Sequence, residues 1–385
     1  MKKIFSNICR VMLLSSMLII VGCLEKGDET IMLNGGKNEI PSDDEADVAP
    51  EVVDPNIPIP NINPIFEYEG KNIVVRFDMN GILKPNSTNE YMYLRGTGAV
   101  DQNVWLDLDN KPKGFVVYNA SDNQLGTRMK NDFVFLIDNS GSMDDEADAI
   151  ARDIVAWAAS LDAEMDIRFA IVGYDGRITG GIDFTDNETI AAYLNRSGKT
   201  GTSRTEGFAG DNASDLKNLT EQYNGSNAQE CGMAALMFAH DNYAFRPGAN
   251  RIYVNFTDEH NTVTGGEERF SVEYLKDAAN WDPSYGTIHT VFSDLTQKDK
   301  DLEEKPWLMS EYTGGSVMFV DSGFEGVSLE SLPVTGAMQH AYTFKFRHQT
   351  DAADTETHNV RITVYDDNGA IRAVKEFGIK FNIKL

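Results

Sequence analysis

Asp132-Phe133-Val134-Phe135-Leu136-Ile137-Asp138-Asn139-Ser140-Gly141-Ser142-Met143 joins an unbroken apolar run to a polar loop punctuated by one glycine. A short continuous apolar run bounded by acids reads as a strand buried on both faces, as in parallel sheets. Ile150, Ile154, Trp157, Ala158 and Leu161 then recur at helical spacing, so a helix with one apolar face follows. In open parallel sheets, ligands bind where loops leave the carboxyl ends of the strands. The loop after this strand offers oxygens at alternate positions, Asp138, Ser140 and Ser142, while Gly141 lets it turn tightly. One carboxylate and two neutral hydroxyls suit Mg2+ or Mn2+, which favour near-octahedral oxygen coordination and keep aqueous positions.

Outward from this stretch the same alternation continues. Strands are predicted over 168–174, 251–256, 287–292 and 316–320, with 178–184 as a hairpin partner of the first. Helices are predicted near 189–194, 231–240, 272–279 and 307–312. Alternating β and α elements imply an α/β, doubly wound, mostly parallel sheet covered on both faces. The flanks change period. Residues 73–77, 104–106 and 115–118 form short strand-like runs between turn-forming clusters. Tyr342, Phe344 and Phe346 alternate, as do Val360, Ile362 and Val364, and then Phe377, Ile379, Phe381 and Ile383. Asp366-Asp367-Asn368-Gly369 supplies a hairpin turn between the last two runs. These flanks, 66–130 and 335–385, read as two parts of one antiparallel β-sandwich into which 131–323 is inserted. The alternative is three domains in series.

Asp138-x-Ser140-x-Ser142-Met143, behind a buried strand and ahead of an amphipathic helix, resembles the metal-ion-dependent adhesion site of von Willebrand factor A domains and integrin I domains. The resemblance covers 131–323, half the chain, and implies a Rossmann-like fold. It also implies a cation with an exchangeable position that accepts an Asp or Glu carboxylate from a partner protein. In Thr257-Asp258-Glu259-His260, Asp258 matches the family's third-loop aspartate. The family's second-loop threonine stands six residues before the first large aliphatic residue of the next helix. Counted back from Leu236, that slot holds Glu230, as in the I-like domain of integrin β subunits. Glu230 is therefore expected as a metal ligand beside Asp138, Ser140, Ser142 and Asp258; the alternatives are Thr200, Thr202 or Thr205 as the donor, with Glu230 only capping the helix. Asp145 and Glu146 stand where β-integrin I-like domains hold an adjacent Ca2+, although acids opening a helix are favoured by its dipole anyway.

Lys2, Lys3 and Arg10 precede an apolar stretch over 11–21, far short of the roughly 20 residues of a spanning helix. It ends in Ile20-Val21-Gly22-Cys23, which resembles the lipobox of bacterial lipoproteins. That implies a signal peptide over 1–22, an acylated Cys23, and attachment to the outer membrane or cell surface. Residues 23–65 are acidic, with Pro50, Pro55, Pro58, Pro60 and Pro64, and read as an extended tether. A formal net charge of −26 argues against nucleic acid or anionic lipid as partners. With Cys23 acylated, Cys231 has no partner for a disulfide, and beside Glu230 it is expected to pack rather than react. There is no His-Glu-x-x-His or Gly-x-Ser-x-Gly signature, and hydroxyls held by a cation make poor nucleophiles, so no enzyme is expected. The function expected is a lipid-anchored, metal-dependent adhesion or protein-binding module. The alternative is a structural or assembly subunit of a bacterial envelope complex.

Overall fold

Both flanks contribute strands to the same two sheets. Ahead of the α/β region lie β1 (Asn63–Glu69), β2 (Asn72–Met79), β3 (Val104–Leu108), β4 (Lys111–Pro112) and β5 (Phe115–Asn119). After it come β13 (Tyr342–Gln349), β14 (Thr357–Tyr365) and β15 (Arg372–Lys380). One antiparallel sheet has the order β1-β2-β13-β5 and the other β15-β14-β3-β4. Phe344 pairs with Phe77 and Val117, and Ile362 with Leu106, so the hydrogen-bonded registers span the whole α/β region. The inward residues of both sheets share one core, which includes Phe77, Leu106, Phe115, Phe344, Ile362 and Phe377. This is the sandwich that the alternating runs suggested. The computed structural model describes residues 39–383 apart from 70, 86, 88–89, 120–128, 162–165, 225–229, 264–266, 297–303, 325–332, 351 and 367–368. At Glu69, Asp145, Pro333 and Val334 only the backbone is described. Cys23, the expected signal peptide and the first part of the expected tether lie outside the described residues.

Between the flanks, β6 (Lys130–Asp138) is the middle of a seven-stranded sheet. The others are β7 (Asp166–Tyr174), β8 (Ile178–Thr185), β9 (Gly207–Ala209), β10 (Asn250–Thr257), β11 (Thr287–Phe292) and β12 (Val317–Phe319). The order is β12-β11-β10-β6-β7-β8-β9, parallel throughout except for the β7–β8 hairpin. The apolar run of β6 serves both faces because side chains alternate along a strand. Phe133, Phe135 and Ile137 pack with α1 (Asp144–Ser160) and α2 (Asn187–Leu194). Val134 and Leu136 pack with α3 (Ala213–Leu219), α4 (Gly232–Asn242) and α5 (Leu308–Thr313). Asp132, fully buried at the start of β6, accepts from Arg168 and Arg246 at 3.0 and 2.8 Å, fixing the end of the sheet opposite the polar loops.

Three elements differ from expectation. Residues 272–279 do not form an α-helix; Val272–Lys276 is a 3-10 turn. Ser271 Oγ accepts from Glu273 N–H, and Asp277 Oδ1 from Ala279 N–H, so side chains capture the backbone at both ends. A further helix, α6 (Pro333–Gln339), crosses the expected boundary at 335 and belongs with the α/β core, where Met338 is buried. The acidic, proline-rich stretch is not a free tether over its described part. Ile59 and Ile62 enter the sandwich core, and Asn61 is 4 % exposed. Asn56 exchanges hydrogen bonds with the Arg372 backbone, and Asp43 pairs with Lys113 at 2.5 Å. Prolines and acids do keep this segment from forming much secondary structure of its own. They do not prevent it from lying across a core built by other residues.

Candidate metal centre

The carboxyl ends of β6 and β10 lie side by side, in register through Phe256 and Ile137, so the loops leaving them open at one place. Asp138, the last residue of β6, is 0 % exposed. Its Oδ1 accepts from Ser140 N–H at 2.8 Å, and its Oδ2 accepts from the Thr257 hydroxyl at 2.7 Å. Ser140 Oγ and Ser142 Oγ are 3.0 Å apart, and Ser142 Oγ donates to Asp258 Oδ1 at 3.1 Å. The burial is graded: Asp138 is the floor, Asp258 is half-buried and Ser142 is the exposed lip. Thr257, which the sequence pattern did not single out, joins this group because it sits at the end of β10, directly before Asp258.

Asn139 fixes the first loop from outside. Its N–H donates to Tyr174 O at 2.6 Å and its amide nitrogen to Thr179 Oγ1 at 2.6 Å, while the Thr205 hydroxyl donates to its Oδ1. Thr205, an alternative donor in the sequence reading, holds the Asn139 side chain here. Gly201, at φ +52°, lets the same polar segment close on α1, because a Cβ there would stand 2.4 Å from Asp144 Oδ1.

Glu230 ends the second loop just ahead of α4, and its backbone is stitched to both neighbours. Thr262 N–H donates to Glu230 O at 2.8 Å, and Cys231 N–H to Asp175 O at 3.2 Å. Among the described residues no hydrogen bond joins its carboxylate to Asp138, Ser140, Ser142 or Asp258; its charge reaches Asp138 through space. Glu146 is 2 % exposed, with Oε1 accepting from Gly323 N–H at 3.0 Å and Oε2 buried without a hydrogen-bond partner among the described residues. The side chain of Asp145 lies outside the described residues. Cys231 packs against the Phe270 carbonyl, and burial pushes its thiol up to about 12.

The acids share one electrostatic condition. Burial, with the charge of Glu230 adding to it, pushes Asp138 up to about 7 despite its two hydrogen bonds. Burial likewise raises Asp258 to about 6, with Glu259 and Glu146 contributing and the Ser142 bond opposing. Glu230 is raised by burial and by the charges of Glu259 and Asp175. A divalent ion bound among these acids would reverse each shift. The oxygens fit such an ion. With metal–oxygen bonds of about 2.1 Å, an octahedron has edges of about 3 Å, and the Ser140–Ser142 and Ser142–Asp258 separations are 3.0 and 3.1 Å. Among the described residues no three His, Cys, Asp or Glu side chains converge on one point, so hydroxyls must supply much of any coordination sphere here.

No family model matches the sequence, and no curated protein matches it. Solved structures do. The von Willebrand factor type A protein from Catenulispora acidiphila is 12 % identical, with 83 % of this chain and 74 % of that one covered, at a TM-score of 0.32. An aerotolerance-related membrane protein from Bacteroides fragilis is 13 % identical over 55 % of this chain and 98 % of its own, at a TM-score of 0.32. Three N-terminal domains of the type V pili tip protein Mfa5 from Porphyromonas gingivalis are 9 % identical over 85 % and 78 %, at a TM-score of 0.28. On its own strand order, with helices on both faces and the Asp-x-Ser-x-Ser loop leaving the middle strand, the inserted region has a von Willebrand A-like fold.

Proposed function

We propose that this protein is a metal-dependent adhesion or protein-binding module, held at the cell envelope by a lipid on Cys23. The observation that carries the reading is the run of oxygens Asp138, Ser140, Ser142 and Asp258 at contact spacing over a buried floor. Mg2+ or Mn2+ bound there would supply a positive charge with an exchangeable position for an Asp or Glu carboxylate of a partner protein. The chain's own residues do the rest. Asp138 and Asp258 provide charge, Ser140 and Ser142 provide neutral donors, and Thr257 and Asn139 hold the loop in shape. Glu230 adds a third negative charge in the basin, which favours a cation and weakens its pull on a partner's carboxylate. The unpartnered Oε2 of Glu146 supports an adjacent Ca2+ site. No catalytic step is assigned to these residues.

The test is cation-dependent stability of the full chain with and without EDTA. Mg2+ or Mn2+ at a hundredfold excess over Kd should stabilise the fold by about 2–3 kcal/mol, and EDTA should reverse this. Asp138→Ala should fold, because it removes a buried acid, yet lose the cation response and metal-dependent capture of a partner. A variant that keeps both would overturn the reading.

A further inference from the structure

Lys375 sits where a core residue belongs. Along β15 the inward positions are Ile371, Ala373, Phe377 and Ile379, all in the sandwich core, and Lys375 takes the inward slot between Ala373 and Phe377. Its cross-strand partner, Ile362, is also in that core. The amine contacts two groups of the segment before β1: the Ile59 carbonyl at 3.2 Å and the side-chain oxygen of Asn61. Asn61 is itself fixed, with its amide nitrogen donating to Gly286 O at 2.7 Å and its N–H donating to Thr287 Oγ1 at 3.0 Å. No carboxylate of the described residues contacts Lys375; Asp282 reaches it through charge alone. A buried ammonium without a counterion is costly, so the slot favours an uncharged nitrogen.

We propose that Lys375 and Asn61 form an intramolecular amide cross-link between Nζ and Cγ. The lone pair of Nζ attacks Cγ, the Cγ–Nδ2 bond breaks, a proton passes from Nζ to the departing nitrogen, and ammonia leaves. No oxidant or cofactor enters the balance. Burial holds the amine down to about 8, so a useful fraction is neutral and nucleophilic at neutral pH. The product is a neutral amide, which ends the cost of a core lysine. It also ties residues 314 positions apart, the segment ahead of β1 and the last strand of the chain. Such a tie restricts the unfolded chain as a disulfide would, in a protein whose described cysteine, Cys231, is free. This inference is independent of the metal reading.

Mass spectrometry of the full chain tests it. The wild type should be lighter than its sequence by one ammonia, and a tryptic digest should yield one branched peptide carrying both Asn61 and Lys375. Lys375→Arg and Asn61→Ala should lose the branched peptide, regain the sequence mass and melt at lower temperature. Recovery of the two wild-type peptides separately, each at its sequence mass, would overturn the proposal. The wild-type digest decides alone even if a variant fails to fold.

Discussion

His358 shows how single residues set the pH response of the sandwich. Burial pulls its pKa down, but hydrogen bonds to Asp354 at 3.0 Å and Asp109 at 2.7 Å outweigh that and leave it raised. The same contacts hold Asp354 and Asp109 below the usual carboxylate range against their own burial. His348, stacked on Phe381 beside them, is lowered by burial against the opposing pull of Asp354. A base whose folded pKa is raised stabilises fully below its unfolded value, near 6.5, and loses that stability as pH rises through the folded value. The depressed acids work in the opposite sense, stabilising above about 4 and losing that as pH falls. The His358 contribution is therefore greatest between about 4 and 6.5. His358→Gln should lower the melting temperature most in that window and progressively less toward pH 8. A melting-temperature difference that grows with pH would contradict this account. None of these groups was singled out in the sequence, because they lie on three separate segments.

At the scale of elements, legibility followed how locally the information was written. The strand over 133–137 and loops one and three could be read because consecutive residues carried the pattern. The α3 helix buries only Leu216, β9 has three residues, and their sequences show no period long enough to read. The position of Glu230 could be read only by counting against a resemblance, and the clasp of Asn139 by Thr179 and Thr205 joins residues 40 and 66 apart. The same non-locality explains α6. Trp157, on the face of α1 that was legible, donates its Nε1–H to Thr335 Oγ1 at 2.9 Å and stacks edge-on against Phe133 and Phe135. Trp157→Phe keeps most of the packing and should cost about 1–2 kcal/mol through the lost hydrogen bond. Trp157→Ala should cost about 3–5 kcal/mol through the cavity as well. Denaturant unfolding measures both. Faster amide exchange over 333–339 in Trp157→Phe would locate the loss at α6, and unchanged exchange there would mean that the helix is held by other contacts.

The whole molecule is organised so that the ends of the chain complete each other. Deleting residues 340–385 would remove β13, β14 and β15. β2 would then lose its neighbour across eight paired positions, from Tyr342–Met79 to Gln349–Asn72, and β3 would lose β14 across five. The core shared by Phe77, Phe115, Phe344 and Phe377 would open, and two short sheets would be left with unpaired edges. The inserted region has a different dependence. Among the described residues its seven strands pair only with one another, and its two apolar faces are covered by its own helices once α6 is kept. Residues 130–339 on their own should therefore fold and respond to Mg2+, while the tail deletion in the full chain should expose residues 63–119 to trypsin. The sites to watch are Arg76 on β2 and Lys113 between β4 and β5, both buried in the intact fold and paired with Asp78 and Asp43. If that stretch stayed as resistant as in the full chain, the N-terminal flank would be a domain in its own right and the shared core unnecessary for it. If 130–339 failed to fold while the full chain folded, the α/β sheet would depend on the sandwich beneath it. The expected split follows from where the hydrogen bonds run: across the chain's two ends in the sandwich, and within one continuous segment in the sheet that carries the Asp138 and Asp258 loops.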